Sequence, residues 1–131
     1  MEKRFLGVGW AFPPRLGGDG AFVTVSEEED IREAIRIILE TAPGERPMRP
    51  EFGCGIHDFV FSVINAATLG QIGTEVRRAL TLFEPRILLE RVEVSPREAE
   101  SGRLLIEIDY TVKRSNSRQN MVYPFYLKER G

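Results

Sequence analysis

The sequence predicts an α+β domain in which a short N-terminal strand and two helices pack on a three-stranded antiparallel meander. Three observations carry that prediction. Ile31, Ala34, Ile35, Ile38 and Leu39 form one apolar stripe at helical spacing, and Leu69, Ile72, Val76, Ala79, Leu80 and Phe83 form another. Leu104, Ile106, Ile108, Tyr110 and Val112 alternate with Leu105, Glu107, Asp109, Thr111 and Lys113, the pattern of a half-buried strand. Everything after residue 86 reads as strands separated by turns, so helices and strands are segregated along the chain.

Residues 1–20 read as an arm. Gly7, Gly9, Pro13, Pro14, Gly17, Gly18 and Gly20 oppose a regular element, while Phe5, Leu6, Val8, Trp10 and Phe12 are too apolar for a solvated tail. Such an arm lies on its own domain or on a neighbour. Residues 21–131 then form a single domain. Residues 21–25 read as the short strand. Ser26 opens the first helix, with Glu29 completing a capping box and Glu27, Glu28 and Asp30 in the first turn, where the helix dipole favours anions. Pro43 and Gly44 stop it.

Residues 56–61 form a short strand or helical turn rich in aromatics. The second helix covers residues 66–83, weakened by Gly70 and Gly73, a place for another backbone to come close. A strand over 87–94 leads to a turn at Ser101-Gly102, and Ser115-Asn116-Ser117 turns the chain into a last strand over 121–127. Pro124 cannot donate to a ladder, which places that strand at an edge or gives it a bulge.

The 131 residues suit one core, and 42% hydrophobic with 29% charged content is ordinary for a globular protein. A net charge of −2 argues against a nucleic-acid or membrane-surface binder. Lysine occurs only at Lys3, Lys113 and Lys128; the remaining basic groups are arginines, whose forks suit carboxylates and protein interfaces. Cys54 is alone and can form no internal disulfide, which fits a reducing compartment. The apolar run 5–12 is interrupted by glycines and ends in Pro13-Pro14, unlike a signal peptide, and no window has the length of a membrane span. The expected location is cytoplasmic.

Two segments concentrate Pro, Gly and paired charges: Gly44-Glu45-Arg46-Pro47-Met48-Arg49-Pro50-Glu51-Phe52-Gly53-Cys54-Gly55, and Glu84-Pro85-Arg86. A loop this stiff presents its charges in a set geometry, as a docking surface requires. Arg46, Met48 and Arg49 are its candidate contact residues, since Met adapts its shape and Arg is enriched at interfaces. Glu84 ends the second helix at the unfavourable end of its dipole, Pro85 forces a sharp exit, and Arg86 is placed to neutralise Glu84. In the last strand, Tyr123, Pro124, Phe125 and Tyr126 are candidates for strand-edge recognition.

Catalysis finds little support. Glycoside hydrolysis would draw two carboxylates from Glu45, Glu51, Asp58 and Glu84, one of them protonated in an apolar pocket. All but Asp58 have an arginine within two residues. Cys54 and His57 supply one thiol and one imidazole, too few for a zinc site and too close in sequence for the usual catalytic pair. No phosphate-binding glycine loop is present. The chain therefore reads as an interaction module, with no catalytic residues, metal or cofactor.

At these same residues the sequence resembles the baseplate wedge and sheath-initiator family of contractile phage tails and related injection machines, including the type VI secretion baseplate subunit. Some members of that family carry the label tail lysozyme. The matching pieces are Gly7-Val8-Gly9-Trp10-Ala11-Phe12-Pro13, Glu45-Arg46-Pro47-Met48-Arg49-Pro50-Glu51-Phe52-Gly53, Phe83-Glu84-Pro85-Arg86-Ile87 and Val122-Tyr123-Pro124-Phe125-Tyr126-Leu127, in order along nearly the whole chain. The resemblance implies a structural subunit, present in multiple copies around the tail tube. Its implied partners are other wedge proteins and the sheath protein, whose first ring it starts by sharing strands. It assigns Glu84, Pro85 and Arg86 to wedge docking. A peptidoglycan hydrolase acting during injection is the alternative the label suggests, although no muramidase motif is visible.

Overall fold

The computed structural model describes residues 20–128. The arm expected over residues 1–20 thus lies outside the described residues except for Gly20. The chain divides into two units, Met1–Asp30 and Ile31–Gly131, and the sheet, the second helix and the loops between them belong to the second.

Helix α1 spans Gly20–Glu40. Residues 21–25, expected as a strand, are drawn as its first turns, and the short N-terminal strand is not shown. The β-branched preference of Val23, Thr24 and Val25 against helix is only about a few tenths of a kcal/mol per residue, and extending an existing helix is far easier than nucleating one. Glu27, Glu28, Glu29 and Asp30 are accordingly interior to α1, and Ser26 is not its cap. Further along, Ile31, Ile35, Ile38 and Leu39 are buried as the stripe predicts. Thr41 ends the helix by donating both its N–H and its hydroxyl to the Ile37 carbonyl, at 3.0 and 2.7 Å.

A short 3-10 helix, Gly55–Phe59, resolves the ambiguous aromatic stretch as a helical turn. Helix α2 spans Ala66–Phe83, as expected. Its start is fixed by Asn65, whose side-chain oxygen accepts the Thr68 N–H at 2.8 Å. Ile72, Val76, Ala79 and Leu80 form its buried stripe.

Strands β1 (Ile87–Ser95), β2 (Arg103–Val112) and β3 (Ser117–Tyr126) make an antiparallel sheet in the order β1-β2-β3. β2 buries Leu104, Ile106, Ile108, Tyr110 and Val112 beneath the two helices. β1 does not alternate regularly: Ile87 and Leu89 turn inward before Glu90, Val92 and Val94 after it. A β-bulge between Leu89 and Arg91 makes this switch possible, because the extra residue shifts the inward phase by one. β3 starts earlier than the expected Met121. Val112 pairs with Ser117 across a tight turn in which Asn116 takes φ 56°, a conformation asparagine tolerates. The polar run Arg118-Gln119-Asn120 then extends the ladder although its composition reads as loop. No helix among the described residues is long and apolar enough to cross a membrane.

Candidate functional site

The loop between Thr41 and Cys54 is closed at its foot and stiff along its length. The Cys54 N–H donates to the Thr41 carbonyl at 2.9 Å, and the Gly44 N–H to the Pro50 carbonyl at 2.7 Å. Gly53 makes the first closure possible. Its φ is +126°, and a Cβ there would lie 2.3 Å from the Thr41 carbonyl oxygen, so no other residue fits. A second brace comes from α2. The Glu75 carboxylate accepts the Gly55 N–H at 2.6 Å and both Nε and a terminal nitrogen of Arg78, at 3.0 and 2.5 Å. Those bonds, led by the one from Arg78, hold the Glu75 carboxyl below its ordinary range.

Within this frame the arginines lie against aromatic rings. Phe52 packs on Phe83 with ring centroids 5.1 Å apart. The Arg46 guanidinium lies 4.7 Å over the Phe52 ring, and that of Arg49 lies 5.3 Å from Phe52 and 5.6 Å from Phe83. Met48 stands between the two arginines at the tip of the loop, 91% exposed. Glu51 lies 3.7 Å from Arg49, and Glu45 is exposed.

Phe83 is also the last residue of α2, so the loop and the Glu84-Pro85-Arg86 segment adjoin. The two segments singled out in the sequence are brought together by the Phe52–Phe83 contact. Glu84 is only 3% exposed. It accepts the Arg86 backbone N–H at 3.2 Å and the fork of the Arg86 side chain, Nε at 2.9 Å and a terminal nitrogen at 2.8 Å. Arg86 therefore neutralises Glu84, as expected. The carboxylate faces inward and anchors; the half-exposed guanidinium and Pro85 face out.

The four candidates on β3 divide by strand parity. Phe125 is in the core, with His57 edge-on to its ring at 6.4 Å. Tyr123 is half-buried, and burial pushes its hydroxyl up to about 12. Pro124 and Tyr126 lie on the solvent face, Tyr126 60% exposed, beside Val122. The Leu127 N–H donates to the Gly102 carbonyl at 2.8 Å, so odd-numbered β3 residues turn their backbone toward β2. Pro124 then faces the outer edge, where its missing N–H leaves no broken ladder bond.

The solvent face of the sheet carries a cluster that residue-by-residue reading missed. Arg91 pairs with Glu93, with Glu107 at 3.3 Å and with Asp109 at 2.8 Å. Asn120 donates to Glu107 and Asp109, at 3.1 and 2.5 Å. The Asn120 and Arg91 bonds hold the Asp109 carboxyl below its ordinary range. Only the register of three strands, with the bulge between Leu89 and Arg91, brings these residues together, and the sequence carries no local signal of it.

The residues weighed for catalysis are dispersed. Glu45, Glu51 and Asp58 are exposed, and Glu84 is tied to Arg86. Cys54 is buried, with its sulfur 3.8 Å from the Glu75 carbonyl and its thiol pushed up to about 12 by burial. His57 Nε2 lies 3.2 Å from the Leu39 carbonyl. Among the described residues, no three His, Cys, Asp or Glu side chains gather as a metal set.

A family model described as Baseplate wedge protein gp25 matches residues 25–117. The chain belongs to this family. The match takes in both helices from Val25 onward, the stiff loop, the Glu84–Arg86 turn and the sheet as far as the start of β3. A curated relative in this family, the baseplate wedge protein gp25 of Enterobacteria phage T4, is 32% identical over 82 residues, 63% of this chain. The aligned part spans 61% of that relative's length. Among solved structures, a Geobacter sulfurreducens protein assigned provisionally as a tail lysozyme is 67% identical, with TM-score 0.75 over 80% of this chain and 95% of its own. A chain of the anti-feeding prophage baseplate is 33% identical, with TM-score 0.61 over 80% of this chain and 84% of its own. A chain of the type VI secretion baseplate complex shares the fold at 17% identity, with TM-score 0.58 over 82% of this chain and 96% of its own.

Proposed function

We propose that this family member is a non-enzymatic structural subunit of the baseplate of a contractile tail or injection machine. It would assemble in the cytoplasm, be present in several copies, dock other wedge proteins, and start the sheath by strand sharing. The tail tube is a further neighbour on this reading. The observation that carries docking is the joined surface of Arg46, Met48, Arg49, Pro85 and Arg86: exposed, braced from below, and built from interface-prone residue types. Family membership and the likeness to a baseplate chain at 33% identity support the assembly role.

The test is affinity purification of the tagged chain from its own host, with co-purifying proteins identified by mass spectrometry. Recovery of wedge, sheath and tube proteins is the expected result; recovery of the chain alone would contradict it. The hydrolase reading keeps one observation in its favour, the tail-lysozyme assignment of the Geobacter sulfurreducens relative. Purified wild-type protein acting on isolated cell wall, with activity lost in Glu45→Gln or Glu51→Gln, would support that reading instead.

A further inference from the structure

Strand β1 is the other edge of the sheet, and its outer side opens on a groove. The Lys113 N–H donates to the Arg86 carbonyl at 2.9 Å, so odd-numbered β2 residues turn their backbone toward β1. Beyond the bulge, their partners are Arg91, Glu93 and Ser95. The N–H and C=O groups of Val92 and Val94 therefore point away from β2, and among the described residues no strand pairs with them. Together with Gly70, Gly73, Thr74 and Arg77 of α2 they border a groove of about 330 Å³.

The helical wall of this groove contradicts the needs of the helix. Glycine inside a helix is less stable than alanine, and α2 carries two on one side, three residues apart. Neither is required by what surrounds it. A Cβ at Gly70 would meet nothing within 4 Å, and one at Gly73 would touch only Val94, at an ordinary 3.7 Å. The fold has room for alanine at both positions, so the open space serves something outside it. At the end of the groove Arg77 is exposed and makes no ion pair or hydrogen bond with the described residues.

The opposite edge is more encumbered. On the outer side of β3, the Lys128 N–H is taken by the Val60 carbonyl at 2.9 Å, the Asn120 carbonyl accepts from Arg32 at 3.4 Å, and Pro124 offers no donor.

We propose that β1 is the accepting edge: an extended segment of a partner protein adds to Val92 and Val94 as a further strand, crosses α2 at Gly70 and Gly73, and sets an acidic side chain against Arg77. The free backbone groups supply the ladder, the glycines let a second main chain approach, and the unpaired guanidinium specifies the partner's charge. This rests on the reading of the chain as an assembly subunit, and it names the edge that shares a strand.

The test replaces the chain in its host with Gly70→Ala/Gly73→Ala and, separately, with Arg77→Glu. It measures thermal stability of each purified protein and its occupancy in sedimenting tail or injection particles. The double alanine variant should melt several degrees higher, as expected for an alanine-for-glycine exchange in a helix, and lose at least tenfold in occupancy. Arg77→Glu should melt with wild type and lose occupancy as well. A lowered melting temperature for the alanine variant would mean the glycines serve the fold, and normal occupancy of both variants would mean nothing docks in the groove; either overturns the proposal. A crosslinker placed at Arg77 should capture an acidic segment of another particle protein. Capture of this chain's own N-terminal residues would overturn the proposal by naming a different occupant. Wild-type protein missing from the particles would overturn the subunit reading and the groove with it, whereas wild type present beside fully occupied variants would overturn the groove alone.

Discussion

The loop above α2 and the solvent face of the sheet both hold arginines among carboxylates, yet they use the guanidinium in opposite ways. Arg46 lies over the Phe52 ring and Arg49 near the rings of Phe52 and Phe83, with Glu51 at 3.7 Å from Arg49, so aromatic contacts help hold both guanidinium groups at the surface. Arg91 is held by its edges: Glu93, Glu107 and Asp109 consume its donors within the protein. On the docking reading an arginine resting against rings is the group offered to a partner, and a caged one is part of the sheet. Counting charges would not separate them. The geometry does, and it is why we propose the loop as the docking surface although the sheet face is the more heavily charged.

The largest effect should come from breaking the loop at its foot. Gly53→Ala places a Cβ against the Thr41 carbonyl at a φ unsuited to alanine. We expect a loss of about 3 kcal/mol or more in urea unfolding, by the combined clash and backbone strain. Wild-type stability in this variant would show that the loop is not fixed as described.

Arg86→Ala comes next, because it strands the buried Glu84 carboxylate without its fork. About 2 kcal/mol should be lost, less than for a fully buried pair since Arg86 is half-exposed. Glu84→Gln/Arg86→Ala, lacking the charge, should be more stable than Arg86→Ala alone; a double-mutant cycle in urea checks this.

How much of this was legible in the sequence differs by element. β2 and α2 were plain, since alternation in one and the stripe and Pro85 in the other state the local structure directly. The stiffness of the loop was legible from its prolines and glycines. Its contact with Glu84–Arg86 was not, because Phe52 and Phe83 meet only after α2 folds back, and no local pattern encodes that distance. The start of α1 was misread where β-branched residues speak for a strand and the helix behind them prevails. The caged Arg91 depended on a bulge that a single sequence does not mark.

A smaller effect should appear with pH. The folded-state carboxyl of Glu75 titrates below its ordinary value of 4.5. Its contribution is therefore complete above that value and is lost as pH falls through the lower folded-state pKa. Melting temperature should drop less steeply below about pH 4.5 in Glu75→Gln than in wild type. Parallel curves would remove Glu75 from the brace. Smallest of all, Arg91→Ala should leave the urea midpoint close to that of wild type, because its partners stay solvated, and should leave particle occupancy unchanged.

The most direct test of the docking surface is the particle occupancy of the triple variant Arg46→Ala/Met48→Ala/Arg49→Ala, measured beside its melting temperature. These side chains are exposed, so the isolated protein should stay folded, with a melting temperature within several degrees of wild type. The variant should be missing from sedimenting tails or injection particles. A folded triple variant found there at wild-type occupancy would contradict the assignment of this surface.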